Sequence, residues 1–224
     1  MHLILTGATG LIGSAALSAA LSHPSITKIT ILSRRDPGLA HPKLTTILKS
    51  DFATYTPSEL ALLKGASACI WALGAPTSGL DVHVRLPKVA VETFHEALAP
   101  HVPQGEKFTF LLLSSGLVVR DQDRWLSGFL APLKARGRVE TEFVEFEEAH
   151  EEVWRSFVAR PRMVVRPGSW SAMVYPDGFM IGVDVLSAAL VDVVVSGGGV
   201  QTLENWDLKA RGTKASSEGK GRLF

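Results

Sequence analysis

The chain of 224 residues is long enough for one large α/β domain, and its hydrophobic content of 46% supports a sizeable core. Its 23 lysine and arginine residues balance 22 aspartate and glutamate residues, so the net charge of +1 gives no reason to expect a nucleic-acid or anionic-membrane partner. The single cysteine, Cys69, excludes an internal disulfide and favours a cytoplasmic location, and no apolar run approaches the roughly 18 residues of a membrane span.

The first predicted element is an apolar strand over residues 2–6, followed by a glycine-rich turn and a helix over 11–22. This start lacks a basic segment, so we expect no signal peptide. The turn reads Thr-Gly-Ala-Thr-Gly-Leu-Ile-Gly, with glycines at three-residue intervals. A strand, turn and helix in this order bring free helix N–H groups and the positive dipole end to a pyrophosphate. The predicted cofactor contacts here are Gly7, Thr9, Gly10, Leu11, Ile12 and Gly13.

Short apolar runs then alternate with helical patterns, which predicts a Rossmann-type, doubly wound, mainly parallel sheet with helices on both faces. Further strands are predicted at 27–33, 43–48, 67–73, 107–114, 162–167 and 200–204. Further helices are predicted at 57–64, 81–99, 136–158 and 183–196. We expect one domain over residues 1–208. Residues 209–224 are rich in glycine, serine and basic side chains, which is typical of a flexible tail.

The end of the second predicted strand indicates which dinucleotide fits. An NAD-selective chain usually carries an acid here, about 20 residues beyond the glycines, to bind the ribose 2′-hydroxyl. This chain has Ser33, followed by Arg34 and Arg35. A hydroxyl and two guanidinium groups would bind a 2′-phosphate, which a carboxylate would repel. We therefore predict NADP(H) as the cofactor.

Several short motifs follow the predicted strands in a characteristic order. They are TGATGLIG, ILSRR, Ser50-Asp51-Phe52, Trp71-Ala72-Leu73-Gly74, Leu112-Leu113-Ser114-Ser115-Gly116 and Val165-Arg166-Pro167-Gly168. Over about residues 1–205 this order resembles atypical short-chain dehydrogenases/reductases, and more narrowly the small NAD(P)-binding proteins related to the human Tat-interacting protein. The resemblance implies that Asp51 and Phe52 contact the adenine. It implies that the adenosine and ribose are contacted by Ala72, Leu73 and Gly74, and the nicotinamide by Pro167, Gly168 and Ser169.

The catalytic signature of that superfamily, Ser with Tyr-x-x-x-Lys, is incomplete in this chain. The only tyrosines, Tyr55 and Tyr175, are not followed four residues later by lysine. Matching Arg136-Gly137-Arg138-Val139-Glu140 to the family's Lys-Gly-x-Val-Glu segment puts Arg136 at the lysine position and Pro132 at the tyrosine position. Arg136 can bind ribose or phosphate, but its pKa is too high for proton relay. Lys134 is a second cation that could reach the cofactor.

Other polar candidates are weaker. Ser114 and Ser115 end the fifth predicted strand, where a hydroxyl either faces the nicotinamide or only caps the strand. Tyr175 either supplies the missing proton or packs as an aromatic ring beside the site. The seven histidines lack metal-ligand spacing, because the nearest pair in this respect, His95 and His101, lies six residues apart. We predict no metal site.

Two hypotheses follow from these residues. The first is an NADP(H)-binding oxidoreductase, a reductase or isomerase with a non-standard proton donor and an unspecified small-molecule substrate. The second is a sensor or interaction protein that keeps the nucleotide pocket, has lost turnover and acts through an unspecified protein partner. The missing tyrosine favours the second hypothesis, whereas the strand-end serines favour the first.

Overall fold

The computed structural model describes residues 1–75, 77–168 and 179–220. The strands are β1 (His2–Thr6), β2 (Lys28–Ser33), β3 (Leu44–Leu48), β4 (Ala68–Trp71), β5 (Phe108–Leu113), β6 (Trp154–Arg160), β7 (Met163–Val165), β8 (Met180–Gly182) and β9 (Thr202–Glu204). The helices are α1 (Leu11–Ser22), α2 (Pro57–Leu63), α3 (Leu80–His83), α4 (Arg85–Ala97), α5 (Ala131–Ala149), α6 (Val183–Ser196) and α7 (Asn205–Lys220). None of the helices in these ranges is both long and apolar enough to span a bilayer.

The main sheet has seven strands in the order β3-β2-β1-β4-β5-β6-β9, and all its neighbouring strands run parallel. The strand order reverses between β1 and β4, where the chain moves first to one side of β1 and then to the other. In open α/β sheets, ligands bind at the carboxyl ends of the strands beside such a switch point. The predicted doubly wound α/β fold is therefore confirmed, and it places a candidate site after β1 and β4.

Helices cover both faces of the sheet. One apolar core lies under α1 and α6, and a second lies under α2, α4 and α5. Strand β1 contributes to both, since Leu3 and Leu5 belong to the first core and Ile4 to the second. A strand buried on both sides reads as a continuous apolar run, which is the pattern that predicted a parallel sheet.

The helix predicted at 81–99 is divided in the structure. Helix α3 ends at His83, Val84 adopts φ −115° and ψ −64°, and α4 begins at Arg85. A 3₁₀ turn at Ala99–His101 then ends the segment. Pro87 accounts for the break, because in one continuous helix its ring would clash with the carbonyl group of His83.

The helix predicted at 136–158 is wrong at both ends. Helix α5 begins five residues earlier, at Ala131, and ends at Ala149, and residues 154–160 form strand β6. The acidic stretch keeps a helical spacing of apolar residues beyond the helix end. Trp154 and most of the residues up to Ala159 are instead buried between β5 and β9, and this burial overrides the local pattern.

The strand predicted at 162–167 is shorter and lies elsewhere. Its central residues form β7, which pairs in parallel with β8 in a separate two-stranded sheet. The sixth strand of the main sheet is β6. Pro167 and Gly168 therefore follow the small sheet and do not follow a strand of the main one.

The expected flexible tail differs from the structure over residues 209–220, which continue helix α7. Leu208 is fully buried, and the helix packs closely against α6. A Cβ atom at Gly212 would lie 2.0 Å from the carbonyl oxygen of Val185, so glycine here allows the two helix backbones to approach. Glycine-rich and serine-rich composition indicated a tail, but the packing against α6 stabilises a helix.

Candidate functional site

The turn between β1 and α1 is closed by contacts between backbone atoms. Gly7 adopts φ +71°, and a Cβ atom there would lie 2.1 Å from the carbonyl oxygen of Ala72, at the end of β4. A Cβ atom at Gly13 would lie 2.0 Å from the carbonyl oxygen of Gly7. Both positions therefore require glycine. Gly7 allows the turn to pack against the end of β4, and Gly13 allows α1 to pack against the turn.

Gly10 has a different role, because it is exposed and forms the N-cap of α1. Its own N–H donates to the carbonyl oxygen of Gly7 at 2.9 Å. The N–H groups of the next residues have no acceptor within the helix, as at the start of any helix, and the residue before them has no side chain to cover them. These donors and the helix dipole match what a pyrophosphate needs.

A groove of about 980 Å³ extends from this turn between α1 and the β2–β3 loop. Thr9 lines it from the turn, Ser14 and Ser18 line it from α1, and Arg35 lines it from the loop. Arg34 is exposed beside the groove without lining it. The buried hydroxyl group of Ser33 is occupied within its own loop, since it donates to the Arg35 carbonyl oxygen at 2.7 Å.

The loop after β3 is held by its own hydrogen bonds. The exposed carboxylate of Asp51 accepts from the backbone N–H of Ala53 at 2.8 Å and from the hydroxyl of Thr54 at 2.9 Å. These bonds lower the pKa of Asp51. Phe52 is buried and meets Trp71 edge to face at 6.2 Å between ring centroids. Phe52 therefore offers only its backbone to a ligand.

The loop after β4 is fixed between β1 and α3. The N–H of Ala72 donates to the Thr6 hydroxyl at 3.1 Å, and Gly74 adopts φ +120° where a Cβ atom would lie 2.7 Å from the His83 ring. His83 Nε2 donates to the carbonyl oxygen of Ala75 at 2.9 Å. Burial, and then the nearby Arg136 guanidinium, lower the pKa of His83, so this imidazole is neutral at pH 7.

A buried ionic network follows β5. The hydroxyl of Ser114 donates to the fully buried carboxylate of Glu140 on α5. That carboxylate also accepts from Arg120 Nε at 2.8 Å and pairs with Arg160 Nε at 3.5 Å. The Ser114 proton is therefore directed away from the sheet edge, and the hydroxyl oxygen remains free to accept. Ser115 lies outside this network, and its hydroxyl oxygen accepts from the N–H of Leu117 at 3.3 Å.

Ser114 and Arg136 share a small cavity of about 10 Å³ at the carboxyl ends of β4 and β5. This volume is about that of one water molecule. Trp71 and His83 also line it, and sequence reasoning missed both. Trp71 is the first residue of the Trp71-Ala72-Leu73-Gly74 motif, a position that could have indicated it. The position of His83 depends on the break between α3 and α4, which sequence reasoning also missed.

Other predicted residues are placed apart from this cavity. Pro132 occupies the first turn of α5, where its missing N–H costs nothing. The Lys134 ammonium donates to the carbonyl oxygen of Gln122 at 2.7 Å, which ties it to the β5–α5 loop. Pro167 and Gly168 are exposed. Ser169 and Tyr175 lie outside the described residues.

Within the described ranges, the histidine, cysteine, aspartate and glutamate side chains form no group of three that could hold a metal ion. Cys69 is a buried free thiol in strand β4. Burial raises its pKa well above the ordinary value, so the thiol stays protonated and unreactive.

Comparison with known proteins finds no matching family model. The leucinostatins biosynthesis cluster protein T of Purpureocillium lilacinum is 39% identical over 122 residues, which are 51% of this chain and 42% of that protein. Protein fmp52, mitochondrial, of Emericella nidulans is 28% identical over 123 residues, 53% of each chain. Each match thus spans about half the length of the relative.

Solved structures share the fold at low sequence identity. The YIR035C short-chain dehydrogenase/reductase of Saccharomyces cerevisiae has a TM-score of 0.65 at 12% identity, covering 91% of this chain and 95% of its own. The dTDP-glucose 4,6-dehydratase of Bacillus anthracis, solved in complex with NAD, has a TM-score of 0.62 at 14% identity, covering 91% and 74%. The predicted resemblance to short-chain dehydrogenases/reductases is thus supported at the level of the fold.

Proposed function

We propose that the chain binds NADP(H) at the β1–α1 turn and uses it as a short-chain-type reductase acting on a carbonyl substrate. The observation that carries the proposal is the turn itself. Gly7 and Gly13 close it against β4 and α1, and the exposed start of α1 stands at the switch point of the sheet. The narrower likeness to proteins related to the human Tat-interacting protein belongs to the same proposal, and the order of the strand-end motifs supports it.

The groove beside the turn supports a choice of the phosphorylated dinucleotide. Arg35 lines it together with Thr9, and Arg34 is exposed next to it. Asp36 lines it as well, but its carboxylate accepts from the backbone N–H of Gly38 at 2.8 Å and helps to fold the loop. Two guanidinium groups outweigh one carboxylate, so a 2′-phosphate is favoured over a 2′-hydroxyl.

A reduced nicotinamide dinucleotide, when bound, supplies a hydride. The carbonyl group would lie outside the small cavity, at the carboxyl ends of β4 and β5, and two candidate proton donors at this edge are Ser114 and Arg136, which line that cavity. Neither is a strong acid, because the Ser114 proton is directed to Glu140 and Arg136 keeps its proton at any ordinary pH. Loss of general acid catalysis typically lowers a rate by roughly 10²–10⁴-fold, so we expect slow turnover unless Tyr175 or Ser115 donates a proton.

A second candidate function is an NADPH-binding sensor, favoured by Pro132 in place of the usual tyrosine. Steady-state NADPH oxidation with a panel of aldehydes, ketones and quinones separates the two functions. Turnover that falls in Ser115→Ala or Tyr175→Phe, with NADPH affinity unchanged, supports the reductase. NADPH binding without turnover of any carbonyl supports the sensor.

The cofactor assignment is tested by titration calorimetry with NADPH and NADH. We expect NADPH to bind at least ten times more tightly, a difference of about 1.4 kcal/mol. Arg35→Ala should remove most of this preference and Arg34→Ala less of it, because only Arg35 lines the groove. Arg138→Ala, at an exposed position on α5, is the control and should change nothing. Equal affinities of the unmodified protein for the two dinucleotides would refute the assignment.

A further inference from the structure

Two residues that line the cavity at the ends of β4 and β5 carry hydrogen-bond donors without an acceptor among the described residues. Trp71 is 1% exposed, and its indole Nε1 has no hydrogen-bond partner. Arg136 is half-buried, and the charge of Glu140 acts on its guanidinium, but within the described part of the chain the guanidinium forms neither a hydrogen bond nor an ion pair. A buried donor left unpaired costs free energy, so both groups point to a ligand that supplies acceptors.

We propose that this cavity is a subsite for a carboxylate group of the substrate, held by Arg136 and Trp71. The inference deepens the proposed reductase function and rests on it, since it names the substrate class as carbonyl compounds that carry an acid group.

The chemistry of the lining favours an anion. Guanidinium and indole N–H groups donate hydrogen bonds and accept none. Glu140 lies four residues after Arg136 on α5, but its two oxygens are engaged by Ser114, Arg120 and Arg160. The neutral His83 adds no competing charge. The cavity therefore has one cation available to an incoming anion.

The size of the cavity favours a carboxylate over a phosphate. A volume of about 10 Å³ admits one oxygen atom and excludes a tetrahedral phosphate. A planar carboxylate can place one oxygen inside and the other toward the cleft, where the fork of a guanidinium can hold both. Leu73, Val82 and Leu112 supply apolar walls, which strengthen this charge interaction by excluding water.

The test observes the indole N–H signals of the five tryptophans by ¹H–¹⁵N NMR, with acetate as the probe and acetamide as its neutral analogue. The Trp71 signal is assigned by Trp71→Phe, or by elimination with Phe variants of the other four if Trp71→Phe does not fold. We expect acetate to shift the Trp71 signal downfield in a saturable way. Acetamide at the same concentrations should leave the signal in place.

Variants of α5 identify the cation involved. Arg136→Met should weaken acetate binding by about tenfold or more, because a charge-assisted hydrogen bond is lost. Arg136→Lys should restore part of the affinity, and Arg138→Met should leave it unchanged. An unshifted Trp71 signal, an equal response to acetamide, or full binding by Arg136→Met would each overturn the inference.

The titration is carried out without dinucleotide, so that its failure is distinguishable from failure of the cofactor proposal. NADPH binding together with an unshifted Trp71 signal leaves the proposed function standing and refutes the carboxylate subsite. A Trp71 shift caused by NADPH alone, with acetate excluded afterwards, would assign these donors to the cofactor and also refute it.

Discussion

The turn after β1 and the sheet edge after β5 lie at the same end of the sheet, but they are stabilised by different kinds of interaction. The turn relies on backbone atoms and absent side chains, with Gly7 and Gly13 fitting where a Cβ atom would lie about 2 Å from a carbonyl oxygen. The edge after β5 relies on charged side chains, with the buried Glu140 joined to Ser114 and two arginines. The first site is sensitive to added volume, and the second is sensitive to lost charge.

The contrast predicts that the largest effect follows from removing the charge of Glu140. Glu140→Gln leaves the partly buried Arg120 without its anion and Arg160 paired with Glu204 alone, so we expect the free energy of unfolding to fall by about 4 kcal/mol. Urea denaturation measures the change. The matched control is Glu142→Gln on the same helix, whose ion pair with Lys88 is partly exposed. The control should cost less than about 1 kcal/mol.

Equal losses of unfolding free energy in the two glutamate variants would contradict the view that buried charges stabilise the edge after β5. In that case, Glu140 could not be said to fix the position of the Ser114 hydroxyl through its hydrogen bond.

The turn after β1 should be destabilised by a side chain added at one of its glycines. Gly13→Ala places a methyl group 2.0 Å from the carbonyl oxygen of Gly7, and backbone cannot yield as a side chain can. We expect a loss of about 3 kcal/mol in unfolding free energy, together with loss of NADPH binding measured by calorimetry. Gly79→Ala is the control, because a Cβ atom there meets no other atom within 4 Å and φ is −61°. It should change neither quantity.

A smaller effect comes from the opposite end of β1, where His2 gives this backbone-built region one buried ionisable group. Burial, then Lys28 and the N-terminal ammonium, lower the pKa of His2 to about 4. The unfolded chain takes up a proton near pH 6.5, and the folded chain resists it. Stability should therefore decrease by about 2 kcal/mol between pH 7 and pH 5.

The comparison variant for this pH dependence is His2→Gln, which keeps a polar group near Thr30 but does not titrate. Its unfolding free energy, measured by urea denaturation at each pH, should fall less steeply than that of the unmodified protein. Parallel pH profiles for the two proteins would contradict the buried, neutral imidazole.

The same contrast explains why the sequence predicted the turn after β1 better than the cavity after β5. The unit β1–turn–α1 was predicted with correct boundaries because its requirements lie within a few adjacent residues, including Gly7 and Gly13. The cavity after β5 joins Trp71, His83, Ser114 and Arg136, which are far apart in the chain. Ser114 was predicted from its place at the end of a strand and Arg136 from the resemblance of residues 136–140 to a family segment, whereas the other two depend on how α3 and β4 pack.

Errors in the fold have a similar origin. The boundary between α5 and β6 is decided by the burial of residues 154–159 in the sheet, since the local spacing still favours a helix. Helix α7 is stabilised by contact with α6 through Gly212 against a weak local preference. The break before α4 was within reach, because Pro87 in a long helix is a signal that the sequence already contains.

The close backbone contact between Gly7 and Ala72 also affects the order in which the chain folds during synthesis. The turn belongs to the first residues made, but the carbonyl group that closes it lies 65 positions later, directly after β4, which is the neighbour of β1 in the sheet. On a ribosome, β1 can pair with β2 early, while β4 must still emerge and dock before the turn is complete. A dinucleotide can therefore stabilise a late intermediate of folding but cannot nucleate the first one.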